Sequence, residues 1–377
     1  MSRGDRWLLM LALGLAAVGL IMVYSSSAIL GITRYQDPNH FLSRQTIRIL
    51  IGVVVLVACA RLRLRRLEQA APWLLSGAVG LLAVLEVAGH VSHGAERWLK
   101  LGFLSIQPTD LARIATVVFL AWWLKRSPPA GQGFLPAIGP PLAATAVVAG
   151  LILLQPNLSS AALLGATGIL MIFLAGARMR HLAVPVAAAG LVVALALITH
   201  PYMMGRVQTF VGTWFGGTID PHGSGWQLDQ SLIAIGSGGW LGRGLGGGLQ
   251  KYLFLPEAHT DFIFSIVGEE TGFLGATLLL GLIALLLWRG MRAAARASDP
   301  FGHLLAGGLT LQIGLYAVAN LAVATGLAPT TGLPLPFVSY GGSALLVNMA
   351  AAGLLYRVSA ENGAHEALAR QRWRGGS

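Results

Sequence analysis

Stretches of about 20 apolar residues, the length a helix needs to cross a bilayer, recur along this chain from Trp7 to the neighbourhood of Tyr356. Helices of a water-soluble core would carry polar faces, and these segments have almost none. Composition agrees: 55% of the 377 residues are hydrophobic and 11% charged, where soluble domains carry about one quarter charged. The expected fold class is therefore an all-α polytopic membrane protein.

Hydropathy divides the chain into ten spans at 7–28, 43–60, 72–89, 108–124, 136–154, 156–175, 181–199, 260–288, 302–326 and 340–357. The first is longer than the apolar core of a signal peptide and is read as an uncleaved span. An even number puts both termini on one side. Placing them in the cytoplasm assigns 17 of the 26 Lys and Arg residues to cytoplasmic segments and 8 to outer ones, the asymmetry of the positive-inside rule. Residues 1–359 then form one membrane domain, with a polar, loosely ordered cytoplasmic tail at 360–377. A long extracytoplasmic loop, about 200–260, joins spans seven and eight and carries Trp214, Trp226 and Trp240, residues suited to a membrane interface.

The net charge of +11 does not imply nucleic acid, because the basic residues sit between apolar segments and form no contiguous base-reading face. The sole cysteine, Cys59, excludes an intramolecular disulfide and a multi-thiolate metal site. The Gly-rich run 242–248 follows no strand and opens no βαβ unit, so it is no dinucleotide loop. A flexible backbone carrying Arg243 beside a lipid headgroup suits it better.

Polar residues gather at the outer face. Glu257, His259, Thr260 and Asp261 run directly into the eighth span, where Asp261, Ser265, Gly268, Gly272 and Gly275 would share one helical face and admit a close neighbour. Asp261 has two readings: a helix N-terminal carboxylate stabilised by the macrodipole, or a general base lifted toward neutral pH by desolvation. Glu269 and Glu270, deeper in the span, are expected to be structural partners of cations or hydroxyls. Arg97 and Lys100 could hold a phosphate, and Trp98 could stack on a sugar or anchor at the interface. Asp110 and Arg113, three apart, read as a structural ion pair. The Pro- and Gly-rich stretch 329–343 must be an irregular connection.

These segments resemble the SEDS family of FtsW, RodA and SpoVE. The resemblance is carried by Val23-Tyr24-Ser25-Ser26, Gly94-Ala95-Glu96-Arg97-Trp98, Ser105-Ile106-Gln107-Pro108 and Leu174-Ala175-Gly176-Ala177-Arg178. The most specific stretches are Leu255-Pro256-Glu257-Ala258-His259-Thr260-Asp261-Phe262-Ile263-Phe264, Gly268-Glu269-Glu270, and Leu335 through Ser343. Glu257-Ala258-His259 and Gln250-Lys251 look more like FtsW than RodA, so the resemblance implies a role in cell division, with RodA-like cell elongation as the alternative. Two motifs depart from the family pattern: Asn157 stands where an Asp is usual, and Thr109-Asp110 replaces Ser-Glu.

The resemblance implies a peptidoglycan glycosyltransferase that polymerises lipid II outside the cytoplasmic membrane, with Asp261 essential and acting as base. It implies Trp98, Arg97, Lys100, Arg243, Lys251, His259, Glu257 and Ser339 as substrate contacts, the cations serving the diphosphate. A divalent cation, Mg or Mn, is compatible with that chemistry, with Asp261 its candidate ligand; no organic cofactor is implied. Expected partners are lipid II, the undecaprenyl-diphosphate-linked glycan, a class B penicillin-binding protein transpeptidase and other divisome membrane proteins. The expected location is the bacterial inner membrane at the division septum. A lipid II flippase and a non-catalytic scaffold are the rival classes.

The arginine cluster Arg61 to Arg66 follows Cys59 directly and places that thiol at the cytoplasmic side. An impermeant thiol reagent applied to intact cells is expected to leave Cys59 unmodified; ready labelling from outside would reverse the orientation.

Overall fold

The computed structural model describes residues 4–89, 99–101, 104–129, 134–199, 201–215 and 224–374. The elements in order are α1 (Arg6–Tyr35), α2 (His40–Arg61), α3 (Leu64–Gly89), β1 (Leu99–Leu101), β2 (Leu104–Ile106), α4 (Pro108–Arg126), α5 (Phe134–Leu154), α6 (Leu158–Leu174) and α7 (Met179–Thr199). They continue with α8 (Pro201–Phe215), α9 (Ser224–Ser237), α10 (Ile263–Ala295), α11 (Pro300–Ala324) and α12 (Gly342–Arg374). Among the described residues, seven helices are long and apolar enough to cross a membrane: α1, α2, α3, α7, α10, α11 and α12. The other three expected spans coincide with α4, α5 and α6.

Local chemistry sets the boundaries. Asp5 caps α1 by accepting from Trp7 N at 3.1 Å, Pro108 and Pro300 open α4 and α11 at a position that needs no N–H donor, and Asn157 caps α6 by accepting from Ser160 N at 3.3 Å. The buried core runs through α1, α4, α10, α11 and α12, with Leu8, Leu15, Leu120, Phe301 and Leu305 fully enclosed. The two ends of the fold meet: Asp5 N donates to Ser359 Oγ at 2.9 Å, and Arg289 of α10 binds Asp5 at 3.1 Å.

Four features differ from the expectation. The long loop is not irregular throughout, since α8 and α9 lie within it. Leu99-Lys100-Leu101 pairs antiparallel with Leu104-Ser105-Ile106, Leu99 opposite Ile106, a small hairpin within an otherwise helical chain. Helix α12 continues through residue 360 to Arg374, where a loosely ordered tail was expected.

The fourth difference concerns the eighth span. It begins at Ile263, leaving Asp261 in the preceding turn, and it is broken at Gly272 (φ 66°, ψ −165°), so the stripe from Asp261 to Gly275 is not one continuous helical face. In a regular helix Phe273 N and Leu274 N would bond the carbonyls of Glu269 and Glu270. Instead Phe273 N donates to Gly239 O at 2.8 Å and Leu274 N to Trp240 O at 3.2 Å. The two released carbonyls accept from Arg243 N and Gly244 N, each at 3.0 Å. A segment of the loop is thus spliced into the helix ladder, and these four groups are satisfied.

The splice needs Gly242, whose φ is +78° and where an added Cβ would clash with the carbonyl of Glu270. Gly242→Ala is expected to cost about 1–3 kcal/mol, read as a lower melting temperature in detergent. Gly236→Ala, on α9 with open space around it, is the control expected to melt with the wild type.

Candidate active site

Asp261 lies in a turn that begins at Glu257, a non-glycine residue held at φ 53°. Its N–H donates to Glu257 O at 3.2 Å. From the other side, Asn320 of α11 donates through Nδ2 to Asp261 O at 2.8 Å and to Leu333 O at 2.7 Å. The irregular 329–341 connection is stitched to the same turn. Ser339 Oγ donates to Thr260 O at 2.5 Å while accepting from Leu335 N at 2.8 Å, and Tyr340 N donates to His259 O at 2.9 Å.

The backbone around Asp261 is therefore held from three directions, while the residue as a whole stays partly exposed. Gly332 leaves the carboxylate room, since a Cβ there would stand 3.6 Å from Oδ2. Burial, reinforced by the charge of Glu257 and opposed by Arg206, pushes Asp261 from 3.8 up to about 7.

His259 is buried in an aromatic cluster, 4.9 Å from Phe41 and 5.4 Å from Tyr340 between ring centroids. Its pKa is lowered, mainly by burial and further by Arg34, with Glu257 opposing. It stands buried in the wall of the site. Ser339 is likewise buried, its hydroxyl committed to two backbone bonds. Glu257 is exposed and accepts from Thr260 Oγ1 at 2.9 Å.

Arg243 and Lys251 belong to a different cluster. Lys251 is buried and paired with Glu270 at 3.0 Å; its ammonium also donates to Gly246 O, and Ser25 of α1 donates to Glu270 at 2.7 Å. Lys251, expected at the diphosphate, is thus paired with a carboxylate inside the protein. Glu269 accepts from Leu249 N at 2.7 Å and Gln250 N at 3.3 Å, with Arg243 4.0 Å away. Arg243 alone of the two keeps an exposed guanidinium.

Asp110 and Arg113 pair at 3.3 Å within α4, Ser343 Oγ donates to Asp110 at 2.5 Å, and Arg113 lies 4.2 Å over the Tyr316 ring. They tie α4 to α12 and α11. Arg97 and Trp98 lie outside the described residues; Lys100 stands on β1 opposite Ser105.

Two residues of the site escaped the sequence reading. Arg206 of α8, the cation that moderates Asp261, donates to Thr330 O at 2.9 Å; its only signal was a charge in the outer loop. Asn320 was legible as an amide within an apolar span, where polar residues are costly and usually engaged. No three described His, Cys, Asp or Glu side chains converge as a metal cage.

A helical bundle crossing the membrane, with the carboxylate of Asp261 set in a non-helical junction and its pKa raised by burial, defines a polytopic membrane protein with a candidate proton acceptor. The model of the cell cycle protein family FTSW_RODA_SPOVE matches residues 6–364, and the chain belongs to that family. Similar proteins include the probable peptidoglycan glycosyltransferases FtsW of Geobacter metallireducens, 37% identical over 95% of both chains, and of Alkalilimnicola ehrlichii, 40% identical over 96% of this chain and 90% of that one. Among solved structures, a chain described under "Structural coordination of polymerization and crosslinking by a peptidoglycan synthase complex" superposes with TM-score 0.77 at 34% identity, covering 95% of this chain and 98% of that one. The rod shape determining protein RodA of Thermus thermophilus gives 0.69 at 30% identity, covering 94% and 96%.

The buried ion pair sets a stability test. Lys251→Met leaves Glu270 without its cation and is expected to cost about 3–5 kcal/mol, seen as reduced membrane yield and melting temperature. Adding Glu270→Leu to Lys251→Met is expected to recover much of the loss; no recovery would mean that Lys251 acts elsewhere.

Proposed function

We propose that the protein is a peptidoglycan glycosyltransferase of cell division, polymerising lipid II at the outer face of the cytoplasmic membrane with Asp261 as general base. The observation that carries the catalytic part is the placement of Asp261 in a non-helical turn whose backbone is held by Asn320 and Glu257, where burial raises its carboxyl to about 7. A carboxylate near neutrality is a stronger base than one at the ordinary 3.8 and combines availability with driving force. The division role follows the FtsW names of the relatives.

In the reaction the 4-hydroxyl oxygen of the acceptor lipid II attacks C1 of the glycan carried on undecaprenyl diphosphate. The new C1–O bond forms as the bond from C1 to the diphosphate oxygen breaks, with inversion, and the hydroxyl proton passes to Asp261. Undecaprenyl diphosphate leaves with the bonding pair. Arg243, exposed near the splice, and Arg206, near enough to moderate Asp261, are candidates to offset the phosphate charge, beside Arg97 and Lys100, the candidates of the sequence.

A divalent cation fits only as Mg²⁺ commonly binds, through one or two carboxylates and substrate phosphates, with Asp261 and Glu257 as its candidate ligands; it would supply charge neutralisation at the diphosphate. A class B penicillin-binding protein is the proposed partner. Its support is the superposition on a peptidoglycan synthase complex. Septal placement in the inner membrane, among other divisome proteins, completes the reading.

Purified protein incubated with lipid II, with and without the partner, is expected to make polymer visible on a gel. Asp261→Asn is expected to lower the rate about 100- to 10,000-fold with membrane abundance unchanged, whereas a mere helix cap would accept Asn equally well. With the wild type the rate should rise with pH through about 7, as Asp261 loses its proton, and level off above. Full activity of the Asn variant would remove Asp261 as base, and a wild type that makes no polymer would favour a flippase or scaffold.

A further inference from the structure

The segment from Gly238 to Phe254 is turned inside out relative to a loop that faces water. Its polar groups point at α10. The N–H groups of Arg243 and Gly244 bond the carbonyls of Glu269 and Glu270, while those of Gly246, Leu249 and Gln250 bond the two carboxylates. Lys251 is buried against Glu270. The side chains it exposes are mostly large and apolar: Trp240, Leu241 and Leu245 are 72%, 76% and 66% exposed, and Leu249, Tyr252, Leu253 and Phe254 are exposed too, with Arg243 the charged side chain among them. So many exposed large apolar side chains in one short segment point to an interaction site.

Two helices measure where this surface sits. At one end of the bundle Arg289 binds Asp5 at 3.1 Å and lies 5.6 Å over the Trp7 ring. At the other, Ser25 donates to Glu270 at 2.7 Å. From Trp7 to Ser25 along α1, and from Arg289 back to Glu270 along α10, the rise is about 27–29 Å at 1.5 Å per residue. That is close to the roughly 30 Å hydrocarbon thickness of a bilayer. With the arginine-rich end at the inner boundary, the splice falls at the outer one. Trp240 stands 5.1 Å from Phe273, and the exposed side chains of Phe273, Leu274 and Leu278 carry the apolar surface on down α10.

We propose that residues 240–254 form a wedge seated in the outer leaflet, its exposed face covered by lipid acyl chains at the headgroup boundary. Interfacial elements characteristically sink about 5–10 Å into that region. Non-helical backbone is tolerated there only when its polar groups are satisfied by protein, which the splice provides. The wedge ties the segment leading into the Asp261 turn to the bilayer surface, so the height of the catalytic turn is set by lipid contact as well as by the bundle.

Depth-dependent fluorescence quenching tests this. Cys59→Ser removes the only thiol, and Leu241→Cys, Leu245→Cys or, as a control at the exposed outer end of α1, Thr33→Cys introduces one. Each protein carries a bimane label in nanodiscs of phosphatidylcholine and phosphatidylglycerol. The labels at 241 and 245 are expected to be quenched several-fold more by lipid with a doxyl group near the headgroup end of the acyl chain than by aqueous iodide, and the label at 33 the reverse. Iodide quenching at 241 and 245 equal to that at 33 would overturn the proposal. So would protection that appears only when a partner membrane protein is added, since the occupant would then be that protein. Quenching of native tryptophan by brominated lipid, expected to drop in Trp240→Phe, repeats the test without a label; an unchanged signal would count against the wedge.

Discussion

The exchange of four backbone groups at Gly272 is the interaction on which the outer half of this protein depends. Breaking a membrane helix exposes two amides and two carbonyls, each costing several kcal/mol if left unpaired in an apolar setting. The loop strand 239–244 answers all four. Because the partners are fixed by backbone geometry, the loop can dock in one register only. That register places Gly246, Leu249 and Gln250 against the carboxylates of Glu269 and Glu270 and sets Lys251 beside Glu270. Nine residues separate Lys251 from Asp261, so the Asp261 turn inherits its position from the splice at one end and from α10 at the other.

The carboxylates on either side of Ile263 have opposite fates. Glu269 and Glu270 are more deeply enclosed than Asp261, yet they receive backbone N–H groups, a hydroxyl and an ammonium. Asp261 has its backbone secured by Asn320 and Glu257, while its carboxylate feels burial, a neighbouring negative charge and one moderating arginine. Satisfied carboxylates hold structure; one denied that satisfaction retains affinity for a proton. Asp261 keeps its affinity for a proton through what the fold withholds from its carboxylate.

Much of this was legible in the sequence because the bilayer simplifies the reading. The spans follow from length and hydropathy, and Asp110 with Arg113 follows from helical spacing. Asp261 stood out as a carboxylate at the mouth of a span. What was not legible came from pairing at a distance. Lys251 looks like any outer-face cation until Glu270, nineteen residues on, is found against it. Gly272 sits among small residues whose spacing suits a continuous helix, and only the competing donors at 239–244 reveal the break. The neutral Asn157 is explained by its cap on Ser160 N, a task for which Asn and Asp rank alike.

The splice also bears on how such a chain is made. The strand that closes the break is synthesised roughly thirty residues ahead of it, and in a nascent α10 leaving the translocation machinery nothing holds that strand in place. A broken span with four naked backbone groups would partition poorly into lipid, whereas a continuous helix satisfies itself. An unbroken helix is therefore the cheaper form in which α10 can meet lipid, and glycine at position 272 is the residue able to hold both the helical and the broken conformation.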